Sequence, residues 1–297
     1  RVIQNNRRAR VVELGKVYVK KYEANWKSLN SAPVPKWFNE AKLALYMFWG
    51  PYSVPAFHPN RTGQGYAEWI GNNEYGYKDF IPKHYGRKFV YEDFADMLKG
   101  EFFDPEEWAD FIVSSGAKYA IIVAKYNDGF CMFRTKTDTR TIRRDKWNSI
   151  QRGPKRDVLG ELFKAGRKRG LKMGLYLSIY EWWHPLWLKD RKLYAKKVLH
   201  PQFKEVITRY KPAFVFMDGD WEDETTTFGS EELVQWLLNE SPVRKHVVFN
   251  DRWGKTREIN GMVYNTEFGG GKGFTDHAWQ EDRSICPSYG YNRNLRA

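Results

Sequence analysis

The chain has 297 residues, of which 42% are hydrophobic and 17% aromatic, and a formal charge of +13; its mean hydropathy is −0.70. That length suits one barrel-sized domain or two small ones, and no apolar run reaches the ~18 residues that a transmembrane helix needs. The basic residues are dispersed and accompany no nucleic-acid-binding motif, so neither a membrane span nor a nucleic-acid partner is expected.

Residues 1–35 read as an irregular or partly helical lead-in closed by Pro33 and Pro35. Residues 43–49 (LALYMFW) form an apolar run of strand length stopped by Gly50 and Pro51, a suitable first barrel strand. The segment 52–100 is long for a connection and rich in Gly, Pro, Tyr and Asn, and it holds the pair Glu68-Trp69. Residues 104–113 predict a helix, with Asp104 as N-cap, Pro105 at the first position and acids in the first turn.

A second buried strand spans 118–124 and runs into Tyr126, Asn127, Asp128, Gly129 and Phe130. The amphipathic run 156–168 predicts a helix ended by Gly170. Residues 172–178, with Tyr176, give a third strand, followed by the aromatic loop 180–184 (YEWWH) and a long helical stretch over 190–210.

The fourth strand, 213–217 (AFVFM), is apolar throughout, as a strand buried on both faces must be. It leads into Asp218, Gly219, Asp220 and Trp221. A carboxylate there is costly to desolvate without partners or a task, so Asp218 either caps the next helix or serves chemistry. A helix over 231–239, a fifth strand over 247–250 ending at Arg252, and a sixth over 262–266 ending at Glu267 follow. After Gly269 the chain is Gly-rich, and strands seven and eight are expected to be weak or absent. The alternation predicts an α/β fold, a (β/α)8-like TIM barrel over 36–297 on which the lead-in packs.

In such a barrel the carboxyl ends of the strands gather polar groups at one rim, here Glu68, Asn127, Asp128, Glu181, Asp218, Arg252 and Glu267. Two carboxylates on different strands are the minimum for glycoside hydrolysis, one attacking the anomeric carbon and one protonating the leaving oxygen. Trp49, Trp69, Trp182, Trp221 and Trp253 are candidates for a sugar platform, or else core. The six histidines show no metal-ligand spacing, and no Walker loop, nucleophile elbow or dinucleotide fingerprint occurs, so no metal or cofactor is expected. Aromatic content together with positive charge would suit an anionic polysaccharide. Cys131 and Cys286 are too few for a disulfide framework and read as two buried free thiols ahead of a single bridge, and Asn60 and Asn239 begin glycosylation sequons.

Several longer motifs occur in order: 37–42 (WFNEAK), 49–55 (WGPYSVP), 103–109 (FDPEEWA), 128–130 (DGF), 156–162 (RDVLGEL), 250–254 (NDRWG) and 288–292 (SYGYN). In these the chain resembles the α-L-fucosidases of glycoside hydrolase family 29, with a middle section like the animal-type members. The resemblance implies a catalytic barrel and a retaining double displacement that releases α-linked L-fucose from a fucosylated glycan. It places Asp218 at the nucleophile position and Glu267 at the acid/base position, with Glu281 as competitor. Glu68, Trp69 and Arg252 match family positions near the sugar, and Tyr176 joins them on the third strand. A C-terminal β-sandwich common in the family is expected to be missing, and a secreted, periplasmic or lysosomal location is expected.

Departures from the family lie in the sugar-binding shell. Phe48, Tyr126 and Asn127 stand where histidines usually bond sugar hydroxyls, Phe216 replaces a frequent tryptophan, and Tyr289 stands at a common phenylalanine. Three readings follow: a glycosidase with specificity altered toward a modified, for instance sulfated, fucose or a related L-sugar; an ordinary α-L-fucosidase; or a carbohydrate-binding pseudoenzyme.

Overall fold

Five strands lie side by side in chain order, each parallel to the next: β1 (Ala44–Met47), β2 (Tyr119–Lys125), β3 (Lys172–Ser178), β4 (Phe214–Asp218) and β5 (Val248–Phe249). A parallel bridge from Asn250 to Val263 carries the order on to β6 (Tyr264–Glu267), which pairs in parallel with β7 (Trp279–Asp282). Consecutive parallel neighbours joined by helices are the winding of a (β/α) barrel. The computed structural model describes residues 21–59, 67–71, 77–256, 260–267, 275–285 and 288–293, without the side chains of 67 and 68.

The central strands follow from their composition. Every residue of β2 and β4 is buried, which suits strands covered on both faces. Between them run the helices Pro105–Ser114, Val158–Lys168, His200–Tyr210 and Ser230–Asn239. Asp104 caps the first, its Oδ1 accepting from the amides of Glu106 (2.8 Å) and Glu107 (3.2 Å). Such a cap contributes about 1 kcal/mol. The second helix starts at Val158, two residues after the predicted Arg156, because Asp157 is spent as its cap on the Gly160 amide at 3.0 Å.

The stretch 190–210 is several pieces rather than one helix. Asp190 is extended (φ −158°) and caps the turn Arg191–Tyr194, and a π turn over Ala195–Leu199 precedes His200–Tyr210. Pro201 has no N–H to return to the preceding turn, so the ladder must break its register there. The seventh strand, expected weak or absent, is present as β7. Its sequence, WQED, lacks an apolar pattern, and of its four residues only Asp282 is buried.

The described part of the lead-in rests on the helix Ser230–Asn239. Asn239 accepts from the Tyr22 amide at 2.9 Å and donates to the Tyr22 carbonyl at 2.8 Å, so both polar atoms of this sequon asparagine are engaged. Asn60 lies outside the described residues, as does Cys286, while Cys131 is a buried free thiol. No helix among the described residues is long and apolar enough to cross a membrane.

Candidate functional site

β3 and β4 pair in the register Tyr176↔Phe216 and Ser178↔Asp218, so Tyr176, Phe216 and Asp218 point to one face by the period of two. The ring of Tyr176 stacks on Phe216 (centroids 5.5 Å, 17°), and its hydroxyl donates to Asp218 Oδ2. The turn after Asp218 needs Gly219: φ is +91°, and a Cβ there would stand 2.6 Å from Tyr180 Cβ. Glycine thus lets β4 end against Tyr180 and holds Asp218 at the strand terminus.

Arg252 gathers the acids. Its Nη1 is 3.0 Å from Asp218 Oδ1 and 3.3 Å from Glu267 Oε2, while its Nε is 3.0 Å from Asp220 Oδ1. The Asp218 contact is off hydrogen-bonding direction, which leaves Oδ1 with an ionic neighbour but no hydrogen bond. Burial pushes the Asp218 carboxyl up to about 6, against the lowering pull of Arg252 and of the Tyr176 hydroxyl. Burial would weaken the Arg252 guanidinium, yet Asp218, Asp220 and Glu267 together hold it well above its ordinary value.

These groups open into a cavity of about 310 Å³, also lined by Tyr46, Phe48, Trp69, Tyr126, Asn127, Trp221, Asp282 and Tyr289. Phe48 is central to the aromatic wall, with ring centroids 4.7 Å from Tyr46, 5.4 Å from Tyr126 and 5.0 Å from Tyr289. Asn127, also in the lining, accepts from Ser178 Oγ at 2.6 Å. Of the charged side chains in the lining, among the described residues, three are carboxyls (Asp218, Glu267, Asp282) and one is a guanidinium.

Every residue proposed from sequence for the site lines this cavity except Glu68, whose side chain lies outside the described residues. The other rim candidates go elsewhere. Glu181 is locked to fully buried Lys125 (Nζ–Oε2 3.0 Å) and to Tyr194 (2.5 Å). Asp128 accepts from the Phe130 amide (2.9 Å) and the Tyr91 hydroxyl (2.7 Å). Both are internal braces, since a buried charge must be paired where the chain leaves it.

Among the five tryptophans only Trp69 and Trp221 face the cavity. Trp253 packs on Phe203 and Phe249, Trp49 packs on Phe103 and Trp108, and Trp182 stands behind Trp69 at 5.1 Å. Glu281 is bonded to Arg283 Nε and is absent from the lining, whereas its neighbour Asp282 is in it.

Two lining residues escape a reading of the sequence. Tyr46 was accessible through strand alternation, since a candidate at Phe48 implies the same face at Tyr46. Asp282 gave no such signal, because β7 carries no hydrophobic pattern.

The sequence profile described as Alpha-L-fucosidase matches residues 13–297. Tissue alpha-L-fucosidase of Rattus norvegicus is 39% identical over 284 residues, which is 92% of this chain and 59% of the relative. The Homo sapiens enzyme of the same name is 36% identical over 285 residues, 93% of this chain and 59% of that one. Among solved structures, the Thermotoga maritima alpha-L-fucosynthase in complex with alpha-L-Fuc-(1-2)-beta-L-Fuc-N3 is 33% identical with a TM-score of 0.77, covering 93% of this chain and 65% of that one. The chain thus spans less than two thirds of the length of these relatives. With the profile matching nearly end to end over the parallel (β/α)8-type barrel described above, the chain belongs to the α-L-fucosidase family.

Proposed function

We propose that the chain is a retaining exo-glycosidase that releases an α-linked L-sugar, L-fucose or a close relative, from a glycan. The observation that carries this reading is one nitrogen of Arg252 lying between Asp218 and Glu267. Their facing oxygens are therefore no further apart than those two contacts laid end to end. That close approach is compatible with the ~5–5.5 Å carboxyl separation of retaining enzymes.

In this mechanism Tyr176 holds Asp218 Oδ2 while Oδ1, free of hydrogen bonds, attacks the anomeric carbon. Glu267 gives its proton to the departing glycosidic oxygen, so the C–O bond breaks as the glycosyl ester forms. Glu267 then takes a proton from water, which attacks the same carbon and returns Asp218 as carboxylate. Arg252 stabilises Asp218 in its ionised form. A cavity at the small end of the usual ~300–1,000 Å³ range supports a single terminal sugar.

A sulfated sugar finds little support in this lining. Arg252, the one cation among the described lining residues, already serves three acids, so an added anion would meet a surplus of carboxylates. The positive charge of the chain as a whole is left for the glycan beyond the first sugar.

The test is aryl release from α-L-fucoside, α-L-galactoside, β-D-galactoside and α-L-rhamnoside, followed by plain and sulfated fuco-oligosaccharides. Asp218→Gly should lower turnover on the order of 10⁴-fold or more, and azide should restore it as a glycosyl azide. Saturable sugar binding with no aryl release by the wild type would establish the binding-only alternative instead.

A further inference from the structure

Tyr46 is a cavity residue with an unmet need. Its hydroxyl is buried and has no hydrogen-bond partner among the described residues, a costly state for a phenol. The ring is hemmed by Phe48 (4.7 Å), Phe216 (5.4 Å) and Tyr176 (6.0 Å), which limits any swing toward another acceptor. Asp282 lines the same cavity from β7 and is only 7% exposed. Its Oδ2 accepts from Asn265 Nδ2 at 2.9 Å and its Oδ1 from Gln280 Nε2 at 2.7 Å. Each oxygen keeps a further lone pair. Of the charged groups around Tyr46, Asp282 acts on its hydroxyl most strongly, ahead of Asp218.

We infer that Tyr46 and Asp282 form a hydroxyl-reading pair, selecting a neutral sugar that carries a hydroxyl, and not an apolar or anionic substituent, where it meets them. A sugar hydroxyl both accepts and donates, so it accepts a hydrogen bond from the Tyr46 hydroxyl and donates one to the Asp282 carboxylate. A methyl or hydrogen at that position leaves the buried Tyr46 hydroxyl unpaired and offers Asp282 no donor for its remaining lone pairs, the situation that produces strong rejection. A sulfate there would face the Asp282 carboxylate. The inference rests on the cavity being the sugar site proposed above, and deepens that reading by naming what part of the sugar is read.

The experiment compares wild type, Tyr46→Phe and Asp282→Asn on aryl α-L-fucoside, its 2-, 3- and 4-deoxy analogues, and aryl α-L-galactoside. Tyr46→Phe keeps the ring and should lower kcat/KM about ten- to hundred-fold on substrates bearing the hydroxyl that is read. On the analogue lacking that hydroxyl the loss should be under about threefold, since the partner is already gone. Asp282→Asn, which keeps an acceptor and removes the charge, should show the same substrate ranking with a smaller loss. A uniform loss across all substrates, or none, overturns the inference.

If the wild type releases no aryl group from any substrate, the hydrolase reading fails and the pair is judged by calorimetry with L-fucose, its deoxy analogues and L-galactose. A loss of affinity confined to sugars with the read hydroxyl then supports it. Unchanged affinity in the variants, or no sugar binding at all, overturns it.

Discussion

Tyr176 donates its hydroxyl to Asp218 Oδ2 from the neighbouring strand, two residues ahead of the point where β3 and β4 align Ser178 with Asp218. The bond favours the charged form of an acid whose burial sets it at about 6. An attacking carboxylate must be ionised, so kcat/KM of the wild type is expected to fall as pH drops through about 6. Tyr176→Phe removes a group that lowers this value, and the acid limb should move to higher pH. A one-unit move would cost only about twofold at neutral pH, with the loss growing toward about tenfold as pH falls below 6. Paired pH–rate profiles of the two proteins check it, and a limb left in place or moved downward contradicts the role.

Arg252 is the counter-charge for Asp218, Asp220 and Glu267. Arg252→Met should destabilise the fold by about 3–5 kcal/mol, the usual result of leaving buried charge without its partner. The protein that remains folded should show its acid limb at higher pH, since Arg252 opposes the effect of burial on Asp218. Urea unfolding and a pH–rate profile measure the two effects separately.

For Glu267, an acid role is read from leaving groups. Glu267→Ala should cost about 10²–10⁴-fold on a poor leaving group and far less on a good one such as dinitrophenol. Glu281→Ala, whose side chain turns to Arg283 and away from the cavity, should stay within about twofold of wild type on both. The opposite ranking would transfer the role to Glu281.

Lys125, Glu181 and Tyr194 brace the far side of β2: Lys125 Nζ is 3.0 Å from Glu181 Oε2 and 2.9 Å from Tyr194 Oη. Lys125→Met should destabilise by about 3–5 kcal/mol through the orphaned carboxylate, and adding Glu181→Leu should recover much of that. Thermal and denaturant unfolding of single and double variants test this. KM should stay near wild type in both, because neither residue lines the cavity.

Strand and helix placement was legible because burial writes itself into local pattern. β2 and β4 are apolar runs, and Asp104 and Pro105 mark a helix start by residue type alone. β7 was illegible for the complementary reason: a short strand with only one of its four residues buried need not be apolar. The same holds for the division of 190–210, where Asp190 and Pro201 acted as breakers inside an otherwise helical composition.

By itself the sequence determined an alternating α/β barrel, Asp218 and Glu267 as strand-end acids, and an aromatic shell. Only tertiary structure decided which acids meet. Asp218 and Glu267 converge on Arg252 and Asp282 lines the same cavity from β7, whereas Asp128 and Glu181, equally placed after strands, turn inward to Tyr91 and Lys125. Direction at a strand's end depends on partners dozens of residues away in the chain, and no local spacing encodes them.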